Sequence, residues 1–272
     1  MLTALIALLA PALAAPEDSL LNSGDRDYEL SLHGELGTLG VIAHTIQFGK
    51  DGSAIDYRED GGQDILFSFA RLSADVEWGK HTATFLYQPL DIQTEVTLRR
   101  DLTIDGVDFA EGAPVEMGYG FPFYRASWVR DFAKADDLLV ALGGSLQIRN
   151  ATLTFATANG ETRVTNRDVG PVPLAKIKLR KDYDSGHWIG SEIDGFYAPI
   201  AYLNGSNTDV IGAILDASVR GGITLDNGVE SFLNVRYLGG GATGTSDPYQ
   251  FGDGYVRNWL NFMSVSLGFS LR

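Results

Sequence analysis

Ser264-Val265-Ser266-Leu267-Gly268-Phe269-Ser270-Leu271 is the stretch that decides how this chain is read. Small or hydroxylated residues alternate strictly with Val, Leu, Phe and Leu. A β-strand sends successive side chains to opposite faces, so one face here is apolar and the other is small and polar. In a soluble domain the apolar face would turn into a core. In a closed transmembrane barrel it turns outward into lipid, and such a strand at the chain terminus is where the barrel closes.

The same alternation recurs upstream. Candidate strands fall at about 28–48, 64–78, 82–98, 119–132, 138–157, 162–181, 187–202, 209–225, 229–240 and 257–271. Turn signals separate them on one side: Gly79-Lys80-His81, Ala133–Asp137, Asp184-Ser185-Gly186 and Asp226-Asn227-Gly228. On the other side the connections are mostly longer, at 49–63, 99–118, 203–208 and 241–256, with a compact one around Asn159-Gly160. Short turns on one rim and long loops on the other predict an all-β, closed antiparallel up-and-down transmembrane β-barrel of about ten strands, with eight or twelve as the neighbouring even counts.

The faces support a membrane barrel over a sandwich. In 64–78, Leu66, Ala70, Leu72, Ala74, Val76 and Trp78 oppose Arg71, Ser73, Asp75 and Glu77; in 82–98, Leu86, Leu90, Ile92, Val96 and Leu98 oppose Asp91, Gln93 and Glu95. In 209–225, Ile211, Ala213, Leu215, Ala217, Val219 and Ile223 oppose Asp216, Ser218 and Arg220. Charges repeated on one face cannot build a dry sandwich core, because unpaired buried charge is too costly. They can line a wet or ion-paired lumen. The expected lining is Arg71, Asp75, Asp91, Glu95, Arg125, Arg149, Lys176, Lys178, Arg180, Glu192, Asp194, Asp216, Arg220 and Arg236, with Glu77, Asp131 and Asn234 sharing the face. Across the Asp184–Gly186 turn, Lys176, Lys178 and Arg180 would neighbour Glu192 and Asp194. Aromatics sort to the two rims: Trp78, Trp128 and Trp188 toward the short turns, and Phe121, Phe123, Tyr124, Tyr197, Tyr202, Tyr237 and Trp259 toward the long loops, as two interfacial girdles would require.

Composition narrows the function classes. The chain has 272 residues, a net charge of −14, 32 glycines and no cysteine. No basic surface is available for nucleic acid, and disulfides and thiolate metal sites are excluded. Beyond residue 15 no apolar run reaches the ~18–20 residues of a spanning helix. Residues 1–14 read as a signal peptide, an apolar run ending in the Ala12-Leu13-Ala14 cleavage pattern, with 15–27 a polar periplasmic lead-in and 28–272 the barrel.

With leader, alternation and closing strand together, residues 28–272 resemble the small Gram-negative outer-membrane β-barrel proteins. The resemblance implies a porin-like protein of the bacterial outer membrane whose partners are membrane lipid, lipopolysaccharide and the barrel-assembly machinery. The chain departs from that class at its end, where an aromatic is usual and Arg272 stands instead, three residues past Phe269. Omptin-like proteases share the strand number, with Asp-Asp and Asp-His pairs at the outer rim. No Asp-His dipeptide occurs here, and Asp136-Asp137 falls in a short turn, so that likeness stops at strand count.

For function, the expectation is a structural barrel or a restricted small-solute channel with a narrow, charge-lined lumen. An outer-membrane hydrolase acting on lipid or peptide is the second class, and an exported soluble β-barrel ligand binder the third. The hydrolase would draw on His33, Ser266 and Glu35, brought together as the last strand closes onto the first. Of the other histidines, His81 and His187 fall at short turns and His44 on the lipid-side face. The acids of the long loops, among them Asp51, Asp56, Glu59, Asp60, Asp101, Asp105, Asp108 and Glu111, lack EF-hand spacing, so neither a metal site nor a cofactor is expected.

Overall fold

The computed structural model describes residues 27–135, 137–199, 208–225, 228–246 and 253–272, together with Leu21. The leader at 1–14 and most of the lead-in, along with Tyr202, lie outside the described residues. No helix occurs among the described residues.

Fifteen strands follow in order: β1 (Glu29–Phe48), β2 (Ile55–Asp56), β3 (Leu66–Trp78), β4 (His81–Gln88), β5 (Asp91–Thr97), β6 (Leu102–Ile104), β7 (Val107–Phe109), β8 (Pro114–Gly120), β9 (Phe123–Ala135), β10 (Leu138–Thr157), β11 (Arg163–Asp182), β12 (His187–Pro199), β13 (Ile211–Thr224), β14 (Glu230–Thr245) and β15 (Tyr255–Leu271). Ten of them form an antiparallel ring, β1-β3-β4-β9-β10-β11-β12-β13-β14-β15, which returns to β1. The closing seam runs from Leu32 opposite Leu271 to Phe48 opposite Val256. β5 and β8 prolong β4 and β9 beyond the ring, with β8 pairing the upper part of β10. The barrel is therefore ten-stranded.

Turn chemistry sets the short-turn rim. Gly79 (φ 58°) and Gly186 (φ 76°) supply the left-handed conformations that tight reversals need. The long-loop rim is taller than a membrane: β1, β10 and β11 each run 20 residues, about twice the ~9–11 that cross the hydrocarbon. The upper wall accordingly stands clear of lipid.

The outer surface carries the apolar belt. Val265 and Leu267 are 54% and 48% exposed, while Ser264, Ser266 and Ser270 are buried inside. Leu72, Phe85, Leu142, Leu146, Ile189, Val219 and Leu233 continue the belt around the ring. Such an exterior needs a bilayer to cover it, which removes the soluble-binder class. Near the short turns, Trp78 and Trp128 stack on either side of the His81 ring, with centroids 5.7 and 5.5 Å apart.

Four face assignments differ from those read in the sequence. Leu86, Leu90, Ile92 and Leu98 point inward and are buried, whereas Asp91 and Glu95 are exposed on the outer wall. Those two acids do not line the lumen: β5 lies above the membrane, where water favours polar residues outside and the apolar ones pack beneath the loops. His44 is fully buried inside, because a bulge between Val41 and Ala43 inserts Ile42 and exchanges the faces of β1 beyond it. Trp188 also turns inward, under the Arg180 guanidinium at 4.4 Å. Phe121 and Phe123 join the interior as well, although Tyr124 and Tyr197 remain on the outer surface.

Candidate functional site

The lumen has two chemically distinct tiers. From the short turns to mid-height it is a lattice of ion pairs. Asp216, fully buried, accepts from Arg125 Nη1 at 2.9 Å, Arg236 Nη1 at 2.5 Å and Arg71 Nη1 at 3.4 Å. Arg125 Nη1 also lies 2.9 Å from Asp194, which in turn takes Lys176 Nζ at 2.9 Å. Glu35 accepts from Asn234 Nδ2 and Ser266 Oγ, both at 2.8 Å. Nearer the short turns, Arg180 grips Glu230 at 2.7 Å, Lys178 reaches Asp75 at 3.4 Å and Arg220 pairs with Glu192. Buried charges persist in such a lattice because each has counter-ions and hydrogen bonds to replace water.

Above mid-height the lining is apolar. Leu39, Ile46, Phe69, Ile92, Phe123, Phe155 and Phe262 from the wall pack with Ile55 and Tyr57 of the 49–63 loop and with Leu102, Ile104 and Phe109 of the β6–β7 hairpin. Loop and hairpin are tied together: Ser53 N donates to Thr103 O at 2.8 Å, and Arg100 Nη2 donates to Ala54 O and Asp60, both at 2.7 Å. They form a cap over the lumen. Beneath it His44 lies between the rings of Tyr57 and Tyr119, with Nδ1 2.8 Å from Gln63 Oε1.

Among the described residues, two cavities open into the lumen. One, of about 240 Å³, opens at the short-turn end among His33, Asp75, Lys178, Arg180, Arg220 and the partly exposed Arg272. The other, of about 250 Å³, lies at the long-loop end, among Tyr119, Phe121, Gln147, Leu153, Asn258 and Leu260. Arg125 borders the first and Gln147 the second. Between them, Arg125 Nε and Nη2 donate to Gln147 Oε1 at 3.0 and 2.6 Å.

Of the lumen residues expected from sequence, Arg71, Asp75, Arg125, Lys176, Lys178, Arg180, Glu192, Asp194, Asp216, Arg220 and Arg236 meet in the lower tier. Arg149 stands apart from them, on the upper cavity. Lys176 contacts Glu192 and Asp194 as the turn geometry suggested, while Lys178 and Arg180 reach across to other partners. The proposed serine–histidine set is rearranged. Register puts His33 opposite Ser270, not Ser266, with His33 Nδ1 2.7 Å from Ser270 Oγ and Nε2 3.4 Å from Asp75. Ser266 and Glu35 bond to each other instead. Sequence reading missed Gln88, Gln147 and Ser145, which fill the lattice from inward positions; Gln147 and Ser145 share the parity of Arg149, whereas Gln88 shares that of Leu86, whose face reads as outward in the sequence. The loop acids serve their own backbone: Asp101 accepts from Glu111 N at 2.7 Å and Asp56 from Arg58 N at 2.9 Å.

No protein-family model matches this sequence, and no curated protein matches it. Solved structures do. Against the outer-membrane protease OmpT of Escherichia coli the TM-score is 0.54 at 8% identity, over 92% of this chain and 99% of that one. The fold is that of the outer-membrane β-barrels. A weaker likeness, with a TM-score of 0.36 at 9% identity, covers 89% of this chain and 99% of Ail, the attachment invasion locus protein of Yersinia pestis.

Proposed function

We propose that this protein is a bacterial outer-membrane barrel that restricts small-solute passage, a narrow channel held closed at mid-height. The observation that carries the reading is the Arg125–Gln147 contact, which lies between cavities reaching in from opposite ends. The ion-paired lower tier suits movement of small hydrated or charged solutes once that contact opens. The membrane setting follows from the apolar belt, and lipid, lipopolysaccharide and the assembly machinery are the partners such a barrel requires.

Planar-bilayer conductance tests it. The refolded parent should open rarely, and Gln147→Ala should raise the open probability several-fold while keeping the heat-modifiable gel mobility of a folded barrel. Replacing Lys176, Lys178 and Arg180 by Ala should change ion selectivity. If Gln147→Ala stays at the lipid baseline, the lumen is a structural plug and no channel.

A second reading, a hydrolase, is favoured by the contact chain Ser270–His33–Asp75 beside the short-turn cavity. His33 would accept the Ser270 proton as the hydroxyl attacks an acyl carbon, pass it to the departing alcohol or amine, and then take a proton from the water that hydrolyses the acyl-serine. A fluorophosphonate that labels Ser270 in the parent but not in His33→Gln supports this reading. Absence of labelling in the folded parent removes it.

A further inference from the structure

We infer that the long-loop cavity is a binding site for a small organic anion with an apolar body, of the size of an aromatic or branched-chain monocarboxylate. The cavity holds about 250 Å³, at the small end of ligand pockets. Its walls are Phe121, Leu153, Leu238 and Leu260, with Tyr119 and Phe121 presenting near-parallel rings 6.1 Å apart. The run Gly239–Gly241, which reads in sequence as a flexible stretch, lies in β14 and lines the cavity. A Cβ at Gly241 would collide with the Asn258 carbonyl, and one at Gly239 with the Tyr237 hydroxyl and Asn261 Oδ1, so neither position accepts a side chain.

Polar groups converge on this apolar chamber without partners in the protein. Gln147 is fully buried; its Oε1 serves Arg125, while its Nε2 has no acceptor. Asn166 Nδ2 is a second buried donor lacking an acceptor, while the Asn258 side chain, also on the cavity, pairs with His44. A buried donor left unbonded is costly, so two beside one cavity mark a place where another molecule completes the bonding. Charge chooses its sign. Arg149 and Arg167 border the cavity, and no Asp or Glu does among the described lining residues, in a chain whose net charge is −14. A carboxylate would take the amide donors and lie within the field of the Arg149 guanidinium, and a hydrocarbon ring or branch would cover the aromatic floor.

The inference is independent of the channel reading, since a barrel that conducts nothing can still hold a ligand here. The probe is 4-fluorobenzoate, observed by ¹⁹F line broadening with the full refolded chain in zwitterionic micelles, against empty micelles and against neutral 4-fluorotoluene. Saturable broadening above the micelle control is expected for the parent. Arg149→Gln and Asn166→Leu should each weaken it by about tenfold, and Ala151→Phe, which fills the cavity, should abolish it while the barrel stays heat-modifiable. Broadening equal to that of empty micelles, or unaffected by Ala151→Phe, overturns the site. Equal affinity for 4-fluorotoluene overturns the anionic class.

Discussion

Arg125 on β9 and Asp216 on β13 stand four strands apart around the ring, yet their side chains meet at 2.9 Å. A contact of that span can only cross the lumen. Asp216 gathers Arg71 from β3 and Arg236 from the adjacent β14 at the same point, so one carboxylate joins four walls of the barrel. Closure of the pore and stability of the barrel rest on the same atoms.

Asp216→Ala should therefore be costly. It takes the shared carboxylate from three buried guanidiniums, and breaking a buried pair in this way costs about 3–5 kcal/mol. The urea midpoint of the refolded barrel in micelles measures it. A loss under about 1 kcal/mol, the value typical of exposed pairs, would show that the hub is solvated.

The cap answers to a different force. Phe109 is 2% exposed and packs the β6–β7 hairpin onto the loop carrying Ile55 and Tyr57. Phe109→Ala removes about 3–5 kcal/mol of packing, but from a unit outside the ring, so the barrel itself should persist. Trypsin should then cut after Arg99 or Arg100 many times faster than in the parent, with global unfolding unchanged. Equal cleavage rates would mean that the hairpin is held by its polar ties alone.

How far the sequence reveals this molecule depends on what surrounds each strand. Where lipid lies outside and ions inside, as at Val219 against Asp216 or Leu267 against Ser266, alternation names both the faces and their direction. In β5 the alternation is equally clear, but its direction is reversed: Asp91 and Glu95 meet water outside while Ile92 meets the cap inside. Periodicity gives two faces and says nothing of which medium each one meets. Register was harder still. The bulge at Ile42 that turns His44 inward, and the pairing that gives His33 to Ser270, depend on one extra residue and on strand stagger, neither of which has a composition signature.

That reversal yields a paired test. Val265 faces lipid and Glu95 faces water. Val265→Arg should destabilise the folded barrel by about 2–4 kcal/mol, the cost of a cation on the lipid face near the bilayer midplane. Glu95→Arg should stay within about 0.5 kcal/mol, as exposed substitutions do. Folding titrations into vesicles compare the two directly; a large cost at Glu95 would return β5 to the membrane.

Asp253 offers a pH-dependent readout of the long-loop rim. Its carboxylate accepts from the backbone N–H of Lys50 and of Tyr255, both at 2.9 Å, joining the loop after β1 to the start of β15. These two bonds, the one from Lys50 foremost, hold its carboxyl below the ordinary value. The contribution is therefore complete above the usual carboxylate pKa of about 3.9 and is lost as pH falls through the lower folded value. Amide resonances of Lys50 and Tyr255 should stay fixed from neutral pH down to about 4 and then shift together, and Asp253→Asn should abolish that titration. Movement already between about pH 4 and 5, or independent movement of the two amides, would show that Asp253 does not bridge these loops in solution.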